Sequence, residues 1–177
     1  VRIQPWAVIH QLTDLPPWPE SRIDGKSGRE QRAYPYRRTR NLVAAARAAG
    51  ATRLIAQSIA WAYRPGETPY LETCPLDVEA QGSRGVSVGG VAALEQQVLS
   101  EPALNGTILR YGQLYGPDTG TDEPTGTSPV HVQAAARAAL LALQTEQSGV
   151  FNITQDSPTV SNEKAKRVLG WSPTEEA

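Results

Sequence analysis

Apolar residues fall along the chain in two alternating rhythms. Short runs with β-branched centres, "WAVIHQL" from Trp6, "RLIAQS" from Arg53, "GTILRYGQLYGP" from Gly106 and "GVFNIT" from Gly149, have the length and composition of buried strands. Between them apolar residues recur at helical spacing. Leu42, Val43, Ala46 and Ala49 stripe a first helix that Gly50 stops, and Val91, Leu94, Val98 and Leu99 stripe a second, "VAALEQQVLSE". "VHVQAAARAALLALQ" opens a third helix and "SNEKAKRVLGW" a short last one, with Ser161 as its N-cap. The Pro- and Gly-bearing stretches 23–36, 62–84 and "DTGTDEPTGTSP" read as loops. This alternation suits βαβ crossovers and predicts an α/β domain on a parallel sheet.

At 177 residues, 40% hydrophobic and 20% charged, the chain is expected to form a single domain over 1–177 with a sizeable core. A formal net charge of -1 gives no bulk attraction to nucleic acid or anionic membrane, although Arg37, Arg38 and Arg40 form a small basic cluster. The expected partner is a small molecule, with no nucleic acid and no membrane. No apolar run is long enough for a membrane span, and no charged-then-apolar leader opens the chain. Cys74 stands alone, without a partner for an internal disulfide or a His or Lys in "ETCPLD" to activate it, so a cytoplasmic setting is expected. The sequence begins at Val1 and contains no methionine, which reads as a fragment or a processed chain.

Chemistry-bearing motifs are few. "DTGT" at 118–121 matches the turn on which aspartic proteases present a carboxylate, but such an enzyme needs a second copy or a dimer in an all-β setting, and neither is in view. His10 and His131 each follow a β-branched residue in an apolar run, which predicts packed, hydrogen-bonded imidazoles. Two histidines, one cysteine and no H-x-x-x-H pairing predict no metal site. No G-x-x-x-x-G-K-[ST] occurs.

Read in order, "AVIHQL", "TRNLVAAARAAGATRLIAQSIAWAY", "VAALEQQVL", "TILRYGQLYGP", "VHVQAAARA" and "GVFNI" resemble successive blocks of the extended short-chain dehydrogenase/reductase family, also called the NAD-dependent epimerase/dehydratase family. The resemblance runs from about residue 6 to residue 171. It implies a Rossmann-like parallel sheet with flanking helices that begins at what would be the family's fourth strand. The family's Gly-rich phosphate loop and acidic ribose-binding residue belong to its first two strands, and no G-x-G-x-x-G follows a strand here. By matching position, Gln11, Leu12, Thr13, Gln57, Tyr111 and Gln113 would line the far wall of an NAD or NADP site, complete only with the preceding part of the protein.

The resemblance assigns Ser58, at a strand end, to hydrogen-bond a substrate oxygen. In the family a Tyr-x-x-x-Lys on the next helix supplies the acid/base. Counting back from Glu95, which matches the family's acidic residue four positions after that lysine, the two positions hold Ser87 and Val91. A serine hydroxyl is too weak an acid to replace an activated tyrosine, and a valine neither holds a ribose nor shifts a pKa. Tyr63 or Tyr70 could stand in as the proton donor, against a plainer role as packed aromatics. "PYRRTRN" keeps Thr39 and Asn41 of the family's helix start, and "VHVQA" carries Gln133 and Ala134 where the family has two carboxylates, a loss that bears on N-capping rather than chemistry.

The resemblance thus implies an NAD(P)-dependent oxidoreductase or epimerase-like protein acting on a small molecule, a sugar derivative among the candidates, and a homodimer joined through the helices at 41–49 and 91–99. Two other readings stand beside it. One is a non-catalytic dinucleotide-binding or regulatory protein with a degenerate site. The other is an inactive partial chain whose exposed sheet edge favours association.

Overall fold

The inner strands of the main sheet are largely apolar on both sides because helices cover both faces there. The computed structural model describes residues 4–11 and 39–174. In chain order the elements are β1 (Ala7–His10), α1 over 39–48, β2 (Arg53–Ile59), α2 (Gly82–Leu99), β3 (Asn105–Tyr111), β4 (Gln113–Tyr115), β5 (Pro129–His131), α3 (Val132–Gln144), β6 (Gly149–Ile153) and α4 (Glu163–Leu169). Four of the strands form one sheet in the order β1-β2-β3-β6, with every pair parallel. The predicted α/β architecture is the one observed.

Side chains alternate across this sheet with period two. Leu54, Ala56 and Ile108 point to one face, where Val43 and Ala46 of α1 and Leu94 and Val98 of α2 close over them. Ile55, Leu109, Phe151 and Ile153 point to the other and meet a row of alanines on α3, with Ala165 and Leu169 of α4. Trp171 completes that layer; its indole nitrogen donates to the Ala134 carbonyl at 2.8 Å. At the amino edge of the sheet the buried Arg53 ties down the end of α3, its guanidinium donating to the carbonyls of Ala142 and of Gln147 (3.2 Å).

Three boundaries differ from the sequence reading. Helix α2 begins at Gly82, well before the apolar stripe, and takes in the "GVSVGG" stretch. Glycines there lower helix propensity, but Val88 is buried against Ile59 and Ala62, and packing overrides propensity. The run "TILRYGQLYGP" is two strands rather than one. At Gly112 a β-carbon would stand 1.8 Å from the Ser128 carbonyl oxygen, so the chain leaves the sheet there and β4 pairs with β5 instead. Helix α4 takes Asn162 rather than Ser161 as its N-cap, while Ser161 Oγ accepts from the Glu163 N–H at 3.4 Å.

Candidate functional site

Open parallel sheets bind ligands at the carboxyl ends of their strands. Here that edge carries a polar row set by register alone: Ser58 on β2 lies beside Arg110 on β3, which lies beside Asn152 on β6, all three buried. Glu95 reaches the row from α2. Arg110 grips it through two parallel bonds, Nε to Oε1 at 2.9 Å and Nη2 to Oε2 at 2.7 Å, and Ser58 Oγ donates to Oε1 at 2.6 Å. Arg110 also donates to the Tyr63 hydroxyl at 2.9 Å, and that hydroxyl donates to Asn152 Oδ1 at 2.6 Å. Burial opposes the charge on Arg110, yet the hydrogen bonds to Glu95 hold its pKa above the ordinary arginine value. Burial likewise raises the Tyr63 pKa, despite opposing contributions from Arg110 and Asn152, so the phenol keeps its proton.

The same row anchors the long connection after β2. Glu72 accepts from the Asn152 backbone N–H at 3.0 Å, and its own carbonyl receives Arg110 Nη1 at 3.3 Å. Tyr70 stacks on Tyr63 with centroids 5.1 Å apart and bridges to Val160. Arg84, at the start of α2, pairs with Asp77 at 3.0 Å and donates to the carbonyls of Trp61 and Tyr63, both at 2.9 Å. Sequence reading passed over Arg110, Asn152, Glu72 and Arg84, and saw in Glu95 only a marker for counting. A charged residue within the apolar run "TILRY" was the available signal, since a buried arginine needs a buried partner.

The residues singled out from sequence are dispersed. Ser58 is 0% exposed, with its proton committed to Glu95. Gln57 is half-buried. Gln11 and Tyr111 do meet: burial pushes the Tyr111 phenol up to about 12, and the hydrogen bond from Gln11 opposes that shift. The Gln113 carboxamide is engaged by the loop before β5, its Oε1 accepting from the Ser128 N–H at 3.3 Å. Leu12 and Thr13 lie outside the described residues. Ser87 is buried, and Val91, 4% exposed, packs with Ile59, Ala62 and Val88 in an apolar cluster. Tyr63 is 3% exposed, while the Tyr70 hydroxyl accepts from the Gly66 N–H at 3.0 Å.

The described residues would supply only part of a nicotinamide dinucleotide site. The position that would hold its ribose is an aliphatic side chain in an apolar cluster, and the described residues at this edge present no phosphate cradle.

The two histidines differ in environment. His131 forms the N-cap of α3, its Nδ1 accepting from the Gln133 N–H at 3.4 Å, which supplies the cap that "VHVQA" lacks in carboxylates. Its ring faces Gly116, where φ is +108° and a β-carbon would come within 2.6 Å of Nε2. His10 is buried with Nδ1 unpartnered, and burial lowers its pKa from 6.5. Above pH 6.5 the imidazole is neutral in both the folded and the unfolded chain; below it the unfolded chain binds a proton that the fold resists, so stability falls as pH drops toward the depressed folded value. The melting temperature of the native chain should therefore fall more steeply between about pH 7 and pH 5 than that of His10→Phe. Parallel curves would remove His10 as the cause.

An open parallel sheet with helices on both faces and polar side chains gathered at its carboxyl edge defines a Rossmann-like α/β protein. No protein-family model matches the chain. It is 36% identical over 216 aligned residues to the 3-diazoavenalumate denitrifying reductase of a Streptomyces species, with 97% of this chain and 69% of that protein covered. Among solved structures it is similar to WbmG of Bordetella bronchiseptica in complex with NAD and UDP (TM-score 0.70, 19% identity, 98% of this chain and 69% of that one). It is also similar to ADP-L-glycero-D-manno-heptose-6-epimerase of Helicobacter pylori (TM-score 0.71, 16% identity, 98% and 69%). The chain belongs to the extended short-chain dehydrogenase/reductase family of NAD-dependent epimerases and dehydratases. Among the described residues no helix is long and apolar enough to cross a membrane.

Proposed function

We propose that this chain is a reductase whose acceptor takes a hydride without a proton delivered by the protein, and that an aromatic diazonium acid is the substrate class. One observation carries the reading: where a proton donor and its lysine would stand, Ser87 and Val91 are buried, and Tyr63 spends its proton on Asn152. Oxidising a sugar alcohol, or reducing the corresponding ketone, moves a proton along with the hydride, and buried Ser87 and Val91 offer no activated acid for it. Replacing a diazonium group by hydrogen is different. A C–H bond forms from the hydride, the C–N bond breaks, and its electron pair leaves with dinitrogen, so no acid is needed. The relative's name, a denitrifying reductase of a diazo compound, supports this class.

A bound NAD(P)H would supply the hydride, and its phosphate anchor would come from outside the described residues. Ser58, Glu95 and Arg110 act as positioning residues, since Ser58 is closed off from any substrate while its proton is held by Glu95. A homodimer through α1 and α2 is supported by the apolar residues exposed on them, Ala44, Ala45, Ala48 and the 44%-exposed Leu99, beside the exposed Arg47 and Gln96. The lone thiol of Cys74 supports a cytoplasmic setting.

The test is calorimetric titration with NADH and NADPH, followed by turnover of an arenediazonium carboxylate with C4-deuterated cofactor. The expected result is saturable binding, deuterium in the arene and a rate constant nearly flat between about pH 6 and pH 9. Binding without turnover would favour the non-catalytic reading, which the apolar setting of Val91 also supports. No binding would end both.

A further inference from the structure

The small sheet of β4 and β5 stands at the carboxyl edge of the main one. Gly112, between β3 and β4, donates its N–H to the Ile153 carbonyl at 3.0 Å, and the Gln155 N–H donates to the Pro129 carbonyl at 2.7 Å. These bonds fix the ribbon to the ends of β3 and β6. Alternation along its two strands then sorts the side chains. Leu114 and Val130 turn inward to the core beneath α3. Gln113, Tyr115, Pro129 and His131 share the other face, where Tyr115 and His131 are direct register partners whose rings meet edge to face, centroids 5.1 Å apart.

Each of these two rings holds an uncommitted proton. His131 Nδ1 accepts from the Gln133 N–H, which puts the proton of the neutral imidazole on Nε2. The Tyr115 oxygen accepts from Gln155 Nε2 at 2.5 Å, which leaves its own O–H to donate. Among the described residues neither proton meets an acceptor. Both residues are half-buried, in contrast to the sealed Ser58. A side chain at position 116 would crowd the imidazole nitrogen, and Gly116 adds no atom there. Gln113, on the same face, is already engaged by the Ser128 N–H. No carboxylate shares the face, α3 has none in its first turn, and the acids of the loop before β5, Asp118, Asp122 and Glu123, are exposed.

Two neighbouring donors without an acid are the complement of a carboxylate, whose oxygens accept and cannot donate. We propose that Tyr115 Oη and His131 Nε2 bind the carboxylate of the aromatic acid and so set the preference for acids over arenes that lack one. The inference rests on the reductase reading for the identity of the substrate, but the subsite is made of residues that reading does not use.

The experiment titrates the full protein calorimetrically with benzoate, benzamide and phenyl phosphate, then measures turnover of arenediazonium ions with and without a carboxyl group. His131→Asn keeps an oxygen for the N-cap of α3, and Tyr115→Phe keeps the ring, so each variant removes one donor and should melt as the native chain does. Benzoate should bind saturably and more tightly than the other two probes, and each variant should weaken it about tenfold. In turnover, KM for the diazonium acid should rise about tenfold with kcat kept, while the diazonium ion without a carboxyl group is unaffected. Benzoate affinity unchanged in both variants would overturn the proposal, as would phenyl phosphate binding more tightly than benzoate. Benzoate binding that depends on both residues, in a protein without diazonium turnover, would sink the reductase reading and keep the subsite.

Discussion

Arg110→Met should lower the unfolding free energy by about 3–5 kcal/mol, the range for breaking a buried ion pair by removing one partner. The loss does not come from the attraction alone. Arg110 and Glu95 are 5% and 7% exposed at their side chains, and without the guanidinium the carboxylate keeps only Ser58 as a partner. Tyr63 and the Glu72 carbonyl lose a donor at the same time. Urea denaturation gives the loss directly, and for a domain with the usual 5–15 kcal/mol it is a large fraction of the whole. The double variant Glu95→Gln/Arg110→Met should recover part of it, because the uncompensated charge is gone. A loss below about 1 kcal/mol in the single variant would mean that water reaches Glu95 freely, as at a surface pair.

Val91→Lys should be the other severe change, on the order of several kcal/mol. Ile59, Ala62 and Val88 surround the site with aliphatic groups, leaving an ammonium no acceptor. The buried amine would have a lowered pKa, so the penalty is largest near neutral pH, where the unfolded lysine is charged, and shrinks as pH rises toward about 10. Denaturation curves of the native chain and the variant at the two pH values read this off. Equal stability at neutral pH would show that this pocket accepts a cation, and would take away the main support for chemistry without a protein-borne proton.

Much of the fold was legible because its signals are local. "RLIAQS" and "TILRY" are apolar runs of strand length, Gly50 stops α1, and the alternation of strands with helices requires parallel pairing. What could not be read depends on tertiary contact. The first turns of α2 are glycine-rich and become helical through packing of Val88. The break between β3 and β4 is set by the approach of Ser128 to Gly112, residues far apart in sequence. The site was legible only in outline. Matching position named both Gln11 and Tyr111, whose side chains hydrogen-bond, but it could not show that Ser58 faces inward to Glu95, since that depends on how α2 packs on the sheet. The family resemblance, counted back from Glu95, placed Ser87 and Val91, and the structure adds that both are buried, with Val91 in an apolar cluster.

The anchoring of the connection after β2 also bears on the order in which the molecule takes shape during synthesis. Glu72 waits for the backbone of Asn152, 80 residues further on, and Tyr63 waits for the same residue's side chain across 89. As the chain leaves the ribosome, β2, α2 and β3 can pair and bury their apolar faces while this connection is still untethered. Only when β6 emerges does the carboxyl edge close. Until then the Tyr63 hydroxyl and the Glu72 carboxylate lack the partner that Asn152 supplies, and a nascent chain paused before β6 would expose that edge to chaperones and proteases.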